Sequence, residues 1–167
     1  MKALQKISDV LDKACSWAIG ILFGVMTVTY FLQILLRYAF GTGFMWTEEL
    51  TRYADIWAIM VGAAMIAKRK NWINVSVLEE MLNGRPRAKA ALLVFQQILT
   101  LVFFAAMFAI AFRFIELAGT QVSTNMRIPK RWVYWIFPPA FAVAIYQTIV
   151  GILGGLGALK QGKGAKA

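Results

Sequence analysis

The chain has no histidine and only one cysteine among its 167 residues. Without histidine it lacks the commonest general base and the commonest transition-metal ligand of proteins. Because Cys15 stands alone, no disulfide can form within the chain. These absences weigh against catalysis at a histidine base or a metal centre. We therefore expect no enzymatic activity and no cofactor.

Charged residues are scarce as well, at 16% of the chain against 60% hydrophobic residues, and the mean hydropathy is +0.63. An average globular chain is about half apolar and roughly a quarter charged. Too few charges remain to cover a water-facing surface, and the length allows one domain at most. The net charge of +10 does not indicate nucleic-acid binding, which requires a basic face on a water-soluble body. The composition predicts an integral membrane protein.

Long apolar runs predict four membrane-spanning helices, at about 14–36, 48–67, 90–112 and 132–159. The first, third and fourth runs contain 23, 23 and 28 uncharged residues, and about 20 suffice to cross the hydrocarbon core. The second run carries Arg52 and Asp55 near its start, where charges can reach the interface. We therefore predict an all-α membrane protein in which residues 1–167 form a single integral membrane domain.

Two local features refine this prediction. Pro138 and Pro139 remove two backbone donors, so the fourth span should kink or break early and be continuous only from Phe137 onward. Small residues four apart allow close packing of helices in lipid. Such pairs occur at Gly20 and Gly24, Ala105 and Ala109, and Gly151 and Gly155.

The basic residues outside the spans predict the orientation. Twelve lie in the N-terminal tail, the second connection and the C-terminal tail, whereas four lie in the other two loops. By the positive-inside rule, the N- and C-termini are both cytoplasmic. The first span is longer than a typical signal-peptide core, so we expect it to be a retained signal anchor.

The second connection contains an amphipathic segment at about 73–83. Its apolar side suits a short helix lying in the cytoplasmic interface, with basic residues on both flanks near anionic phospholipids. The residues assigned to this interfacial helix are Trp72, Ile73, Val77, Leu78, Met81 and Leu82. An ordinary capped loop helix is the alternative.

Ionisable residues concentrate at the start of the second span, where we predict Thr47 as the N-cap. Glu48, Arg52 and Asp55 are spaced four and three residues apart, so they lie on one helix face. Arg37, at the end of the first span, can meet the glutamates across the short loop. Ionised groups at this depth are costly unless paired, so we predict a compact ion-pair cluster. With the adjacent tryptophan, its members are Arg37, Trp46, Glu48, Glu49, Arg52 and Asp55.

Three interpretations of this cluster compete. Paired carboxylates can act as general acid and base, but no nucleophile, metal set or histidine accompanies them. Alternatively, Glu48 or Glu49 couples transport to an ion in a self-contained, homo-oligomeric small transporter or channel. Such a residue normally lies near the bilayer midplane, whereas these two lie at a helix start. The third interpretation, a cluster that locks two helices and offers a polar surface to a partner subunit, fits this position best.

Several motifs together resemble the small membrane subunit of tripartite ATP-independent periplasmic (TRAP) transporters, the DctQ-like family. The most specific is W-x-E-E-x-x-R at residues 46–52, preceded by R-Y-x-F at 37–40. W-x4-G-A-A from Trp57, I-x-V from Ile73 and Pro138 complete the pattern, which covers residues 37–139. Trp72 replaces a histidine often found in the family, so no role of that histidine is carried over.

The resemblance implies a scaffold subunit in the bacterial inner membrane, not a transporter by itself. Such a subunit assembles with a large TRAP membrane subunit, which binds sodium and substrate and moves by an elevator-type motion. A periplasmic substrate-binding protein delivers the substrate, a small organic acid such as a C4-dicarboxylate or a sugar acid like sialic acid. The implied partners are these two proteins and phospholipids, with no nucleic acid.

Overall fold

The computed structural model describes residues 2–41, 43–69 and 86–160. Its helices are α1 (Lys2–Phe40), α2 (Met45–Arg69), α3 (Pro86–Ala118), α4 (Lys130–Tyr134) and α5 (Phe137–Lys160). Four stretches are long and apolar enough to cross a membrane, at Leu4–Phe40, Met45–Lys68, Ala91–Ala118 and Lys130–Gly154. The predicted all-α class with four spans is therefore confirmed. The predicted interfacial helix at 73–83 lies outside the described residues.

The last of these stretches is divided where the two prolines predict a break. α4 ends at Tyr134, a turn follows, and α5 begins at Phe137. Pro138 and Pro139 thus occupy the first turn of α5, where backbone N–H groups have no partner within the helix. The predicted start of the continuous helix at Phe137 is confirmed.

The helices pack in the order α1, α2, α5, α3, with a smaller contact between α1 and α5. The buried core lies between α2, α3 and α5, where Ala64, Phe104 and Ala144 are each at most 1% exposed. Small residues let the helices approach closely, and the Phe104 ring fills the space between them. The packed body of the molecule is therefore formed by α2, α3 and α5, and α1 is attached along α2.

The small-residue pairs contribute little to this packing. A methyl group added at Gly20 or Gly24 would meet no other atom of the described chain within 4 Å, and Ala105 and Ala109 are exposed. At Gly151, in contrast, the added methyl would lie 3.0 Å from the Gln97 side-chain nitrogen. The prediction of close packing is therefore wrong within this chain for the first two pairs, because those faces of α1 and α3 point away from the body.

A polar network ties the beginning of α1 to α2 and α5. Lys68 Nζ lies 2.7 Å from an Asp9 carboxylate oxygen and 3.8 Å from one of Asp12, and it donates to the Ser8 carbonyl at 3.2 Å. The Ser8 hydroxyl donates to the Gln147 side-chain oxygen, and Gln147 Nε2 donates to the Ser8 carbonyl at 3.1 Å. Ser8 and Gln147 are both buried. The sequence analysis did not predict this network.

The network also shows that the helices are staggered along their axes. Ser8, near the start of α1, meets Gln147, which lies ten residues into α5. At about 1.5 Å per residue, α5 continues roughly 20 Å beyond this level. The α1–α2 pair is therefore displaced toward its connecting turn relative to α5. We call the end of the molecule that carries this turn the outer end.

We predict that Ala144→Leu destabilises the protein by about 1–3 kcal/mol, because a larger side chain in a packed core forces neighbours out of place. Thermal unfolding of the purified protein in mild detergent measures this. Ala142→Leu, two residues away on an exposed face of α5, is the matched control and should unfold like the wild type. Equal unfolding temperatures for the two variants would contradict the assigned core.

Candidate partner-binding surface

The first turn of α2 is fixed by Thr47, which is completely buried. Its backbone N–H and its hydroxyl both donate to the Phe44 carbonyl, at 3.2 and 2.5 Å. Because the helix already begins at Met45, the prediction of Thr47 as the N-cap is wrong. Successive residues of a helix point about 100° apart, so this turn directs Glu48 and Glu49 to different sides.

Glu48 points into an open groove between α1 and α2, at the outer end of the molecule. The groove has a volume of about 360 Å³ and is lined by Met26, Tyr30, Glu48, Thr51, Arg52 and Asp55. We call it the polar groove. A Glu48 carboxylate oxygen lies 3.1 Å from an Arg52 guanidinium nitrogen, and the two side chains are 65% and 69% exposed. The structure thus places Glu48, Arg52 and Asp55 on one face of α2, as their spacing predicts.

Glu49 points to the other side and holds the loop that precedes α4. One of its carboxylate oxygens accepts the backbone N–H groups of Asn125 and Met126, at 3.1 and 2.9 Å. The other accepts the Tyr53 hydroxyl at 2.8 Å. Hydrogen bonds to an ionised group are among the stronger ones in proteins. Glu49 is therefore a tie between α2 and this loop, not a member of an ion-pair cluster.

The remaining predicted residues are not drawn together. Arg37 is exposed and forms no ion pair with any residue that the structure describes, and the same holds for Asp55. The Trp46 ring lies 6.0 Å from that of Phe44, centroid to centroid, and is partly exposed. The compact cluster predicted from the sequence does not form, because α2 turns Glu49 away from Glu48 and the Arg37 side chain stays outside the groove.

The sequence did not indicate Asn125 and Met126, whose backbone N–H groups donate to the Glu49 carboxylate. They lie 76 and 77 residues away from it in the chain, and they contribute backbone N–H groups, which every residue except proline has. No side-chain pattern could have indicated this contact.

Taken together, these features define a small helical membrane protein with an uncharged interior. The buried polar residues within the described ranges are serine, threonine and glutamine, and none is charged. The ion pairs found there lie at the two ends of the α1–α2 pair.

The chain belongs to the DctQ family, the DctQ component of the tripartite ATP-independent periplasmic transporters, which it matches over residues 26–157. It is 30% identical over 88 residues to the C4-dicarboxylate TRAP transporter small permease protein DctQ of Vibrio cholerae, covering 53% of this chain and 38% of that protein. The resemblance seen in the sequence is confirmed.

Two Haemophilus influenzae proteins inferred to be TRAP transporter small permeases are also similar. One is 29% identical over 79 residues, which is 47% of this chain and 49% of that protein. The other is 27% identical over 122 residues, 73% of this chain and 71% of that protein. The chain thus spans half or less of the length of two of the three relatives.

We predict that Glu49→Gln lowers the stability by about 1 kcal/mol and loosens the loop before α4, because the amide group replaces one acceptor oxygen by a donor. Thermal unfolding and protease cleavage within residues 119–129 measure the two effects. Glu48→Gln is the matched control: it removes only an exposed pair and should change the stability by about 0.5 kcal/mol or less. Indistinguishable cleavage rates would contradict the tie.

Proposed function

We propose that this chain is the scaffold subunit of a TRAP transporter, bound side by side with a large membrane subunit that carries the substrate. The observation that carries the proposal is the polar groove, in which the Asp55 carboxylate is exposed and forms no ion pair with any described residue. A carboxylate at a membrane-facing surface is costly without a counter-charge. A basic side chain of a neighbouring subunit would supply it.

The interior of the chain supports the same proposal. Ala64, Phe104 and Ala144 fill the space between α2, α3 and α5, and they offer no group that could bind an ion or an organic acid. We propose that the substrate and the coupling ion bind to another polypeptide. We propose a sodium-driven import of a small organic acid, a C4-dicarboxylate or a sugar acid, in which this chain does not touch the cargo.

The surface of α1 offers a second site for a partner, a strip of small residues of the kind along which helices pack closely in lipid. Gly20 and Gly24 leave an open strip on this helix, beside large exposed side chains such as Trp17 and Phe31. A partner helix could approach closely along such a strip. We propose that the partner-binding residues are Arg37, Trp46, Glu48, Arg52 and Asp55. Glu49 contributes indirectly, because it holds the loop before α4 in place.

The proposed setting is the bacterial inner membrane, with both termini on the cytoplasmic side and the outer end facing the periplasm. There the loops of the outer end help to dock the periplasmic substrate-binding protein. The amphipathic segment at 73–83 would lie on the cytoplasmic surface, near phospholipid headgroups. The charge distribution of the sequence supports this orientation through the positive-inside rule.

The rival function, a self-contained ion-coupled transporter, requires Glu48 or Glu49 to bind the ion. In the structure Glu48 is paired with Arg52, and Glu49 accepts hydrogen bonds from Tyr53 and from two backbone N–H groups. Both carboxylates thus already have partners within the chain. These contacts favour the scaffold function.

Purification of the tagged chain from its native membrane in mild detergent tests the proposal. We expect a much larger multi-span protein to co-purify, and we expect liposomes containing this chain alone to show no uptake of labelled organic acids with or without a sodium gradient. Uptake by the chain alone would overturn the scaffold function.

We predict that Arg52→Ala reduces co-purification of the large subunit at least as much as it reduces the yield of this chain. The substitution removes the basic side chain that lines the polar groove, so Glu48 loses its ion-pair partner and two carboxylates face the neighbouring subunit without a positive charge beside them. Arg113→Ala, at an exposed position of α3, is the control and should leave assembly unchanged. Normal assembly of the Arg52 variant with an altered ion dependence would instead favour ion coupling.

A further inference from the structure

A second groove, apolar throughout, lies at the outer end between α1, α2 and the segment 126–133. Its volume is about 380 Å³, within the usual range of small-molecule sites. The residues that line it are Leu22, Val25, Leu50, Tyr53, Ala54, Trp57, Met126, Ile128, Trp132 and Val133. We call it the apolar groove. It is distinct from the polar groove, with which it shares no lining residue.

The polar groups of two lining aromatic residues are already used within the protein. The Trp57 indole N–H donates to the Val133 carbonyl at 2.8 Å, and the Tyr53 hydroxyl donates to Glu49 at 2.8 Å. Both hydrogen bonds turn these groups away from a ligand, so the rings present their apolar faces. Such a surface selects a hydrocarbon chain and gives no specific contact to a sugar or an organic acid.

Basic residues flank the apolar groove on the loop and on α4. The Arg131 guanidinium carbon lies 5.7 Å from the centre of the Trp132 ring, which lines the groove. Arg127 is exposed and lies between two lining residues, Met126 and Ile128. The segment 117–135 contains no acidic residue. Glu49, which touches this loop, has its carboxylate turned to backbone N–H groups and Tyr53.

We infer that the apolar groove binds one anionic phospholipid, with an acyl chain along Trp57 and Trp132 and the phosphate beside Arg127 and Arg131. Charge complementarity selects the ligand, because basic residues at a membrane surface attract anionic headgroups and an apolar groove below them receives the chain. Exposed tryptophans at this level, Trp132 and Trp135, match the headgroup depth of a bilayer. The inference does not depend on the proposed assembly with a large subunit.

The lipid would also act on the structure around it. Its chain would fill the space between α1 and the Met126–Ile128 part of the loop, which Glu49 holds on the other side. A bound lipid would thereby join α1 to the loop and α4 in addition to their contacts through α2.

The test is a competition between phosphatidylglycerol and phosphatidylcholine for the full chain, with any partner it retains, followed by native mass spectrometry. Each arginine at a membrane surface is worth about fivefold in affinity for an anionic lipid. We expect a preference of ten- to thirtyfold for phosphatidylglycerol in the wild type (two such factors). The double variant Arg127→Gln/Arg131→Gln should bind both lipids about equally, whereas Lys13→Gln/Arg113→Gln, which removes the same charge at exposed positions elsewhere, should keep the preference.

A second measurement locates the acyl chain. Phosphatidylglycerol brominated on its chains should quench tryptophan fluorescence, and Trp132→Phe should remove part of this quenching. Val25→Phe, which places a larger side chain in the groove from α1, should reduce both quenching and lipid retention. The inference is overturned if the wild type shows no lipid preference, if the control double variant loses it equally, or if Trp132 is not quenched because a protein partner fills the groove.

Discussion

A polar group without a partner is expensive in hydrocarbon, and this constraint decides where the helices of this protein are joined. Within a helix the backbone N–H and C=O groups bond to one another, so only a few polar side chains still need hydrogen-bond partners. At the opposite end of the α1–α2 pair, which we call the inner end, Lys68, Ser8 and Gln147 form hydrogen bonds across three helices. At the outer end the Glu49 carboxylate accepts hydrogen bonds from two backbone N–H groups of the loop before α4. Between these ties the helices meet chiefly through apolar contacts, although the Trp57 indole N–H donates to the Val133 carbonyl and the Ser16 hydroxyl to the Met65 sulfur.

The two ties have different consequences for the shape of the molecule. The inner network fixes the offset of α1 along α5, since Ser8 can meet Gln147 only at that stagger. The outer tie holds the loop before α4 against the start of α2, and this position completes the apolar groove with Met126 and Ile128. Weakening either tie should therefore loosen one end of the molecule and leave the Phe104 core intact.

The two grooves of the outer end present opposite chemistry to their surroundings. The polar groove carries the Glu48–Arg52 pair and an exposed Asp55 carboxylate. It is complementary to a neighbour with a positive charge. The apolar groove has arginines beside it. It is complementary to a neighbour with a hydrocarbon chain and a negative charge. We propose a protein subunit for the first and a phospholipid for the second. Both contacts fit the proposed scaffold function.

The sequence by itself determined the features that arise locally. Runs of apolar residues set the four spans, because crossing hydrocarbon depends on length and composition alone. Pro138 and Pro139 set the start of α5, because a missing backbone N–H acts within one turn. The spacing of Glu48, Arg52 and Asp55 placed them on one face for the same reason, and the motif around them revealed the family.

Only the tertiary structure decided which polar groups meet. Whether Glu49 joins a cluster with Arg37 or holds a loop 76 residues away depends on the rotation of α2 and on the path of that loop. The Lys68 network depends on the relative positions of α1, α2 and α5 along their axes. Hydropathy cannot predict these positions, because shifting one apolar helix along another leaves its composition unchanged.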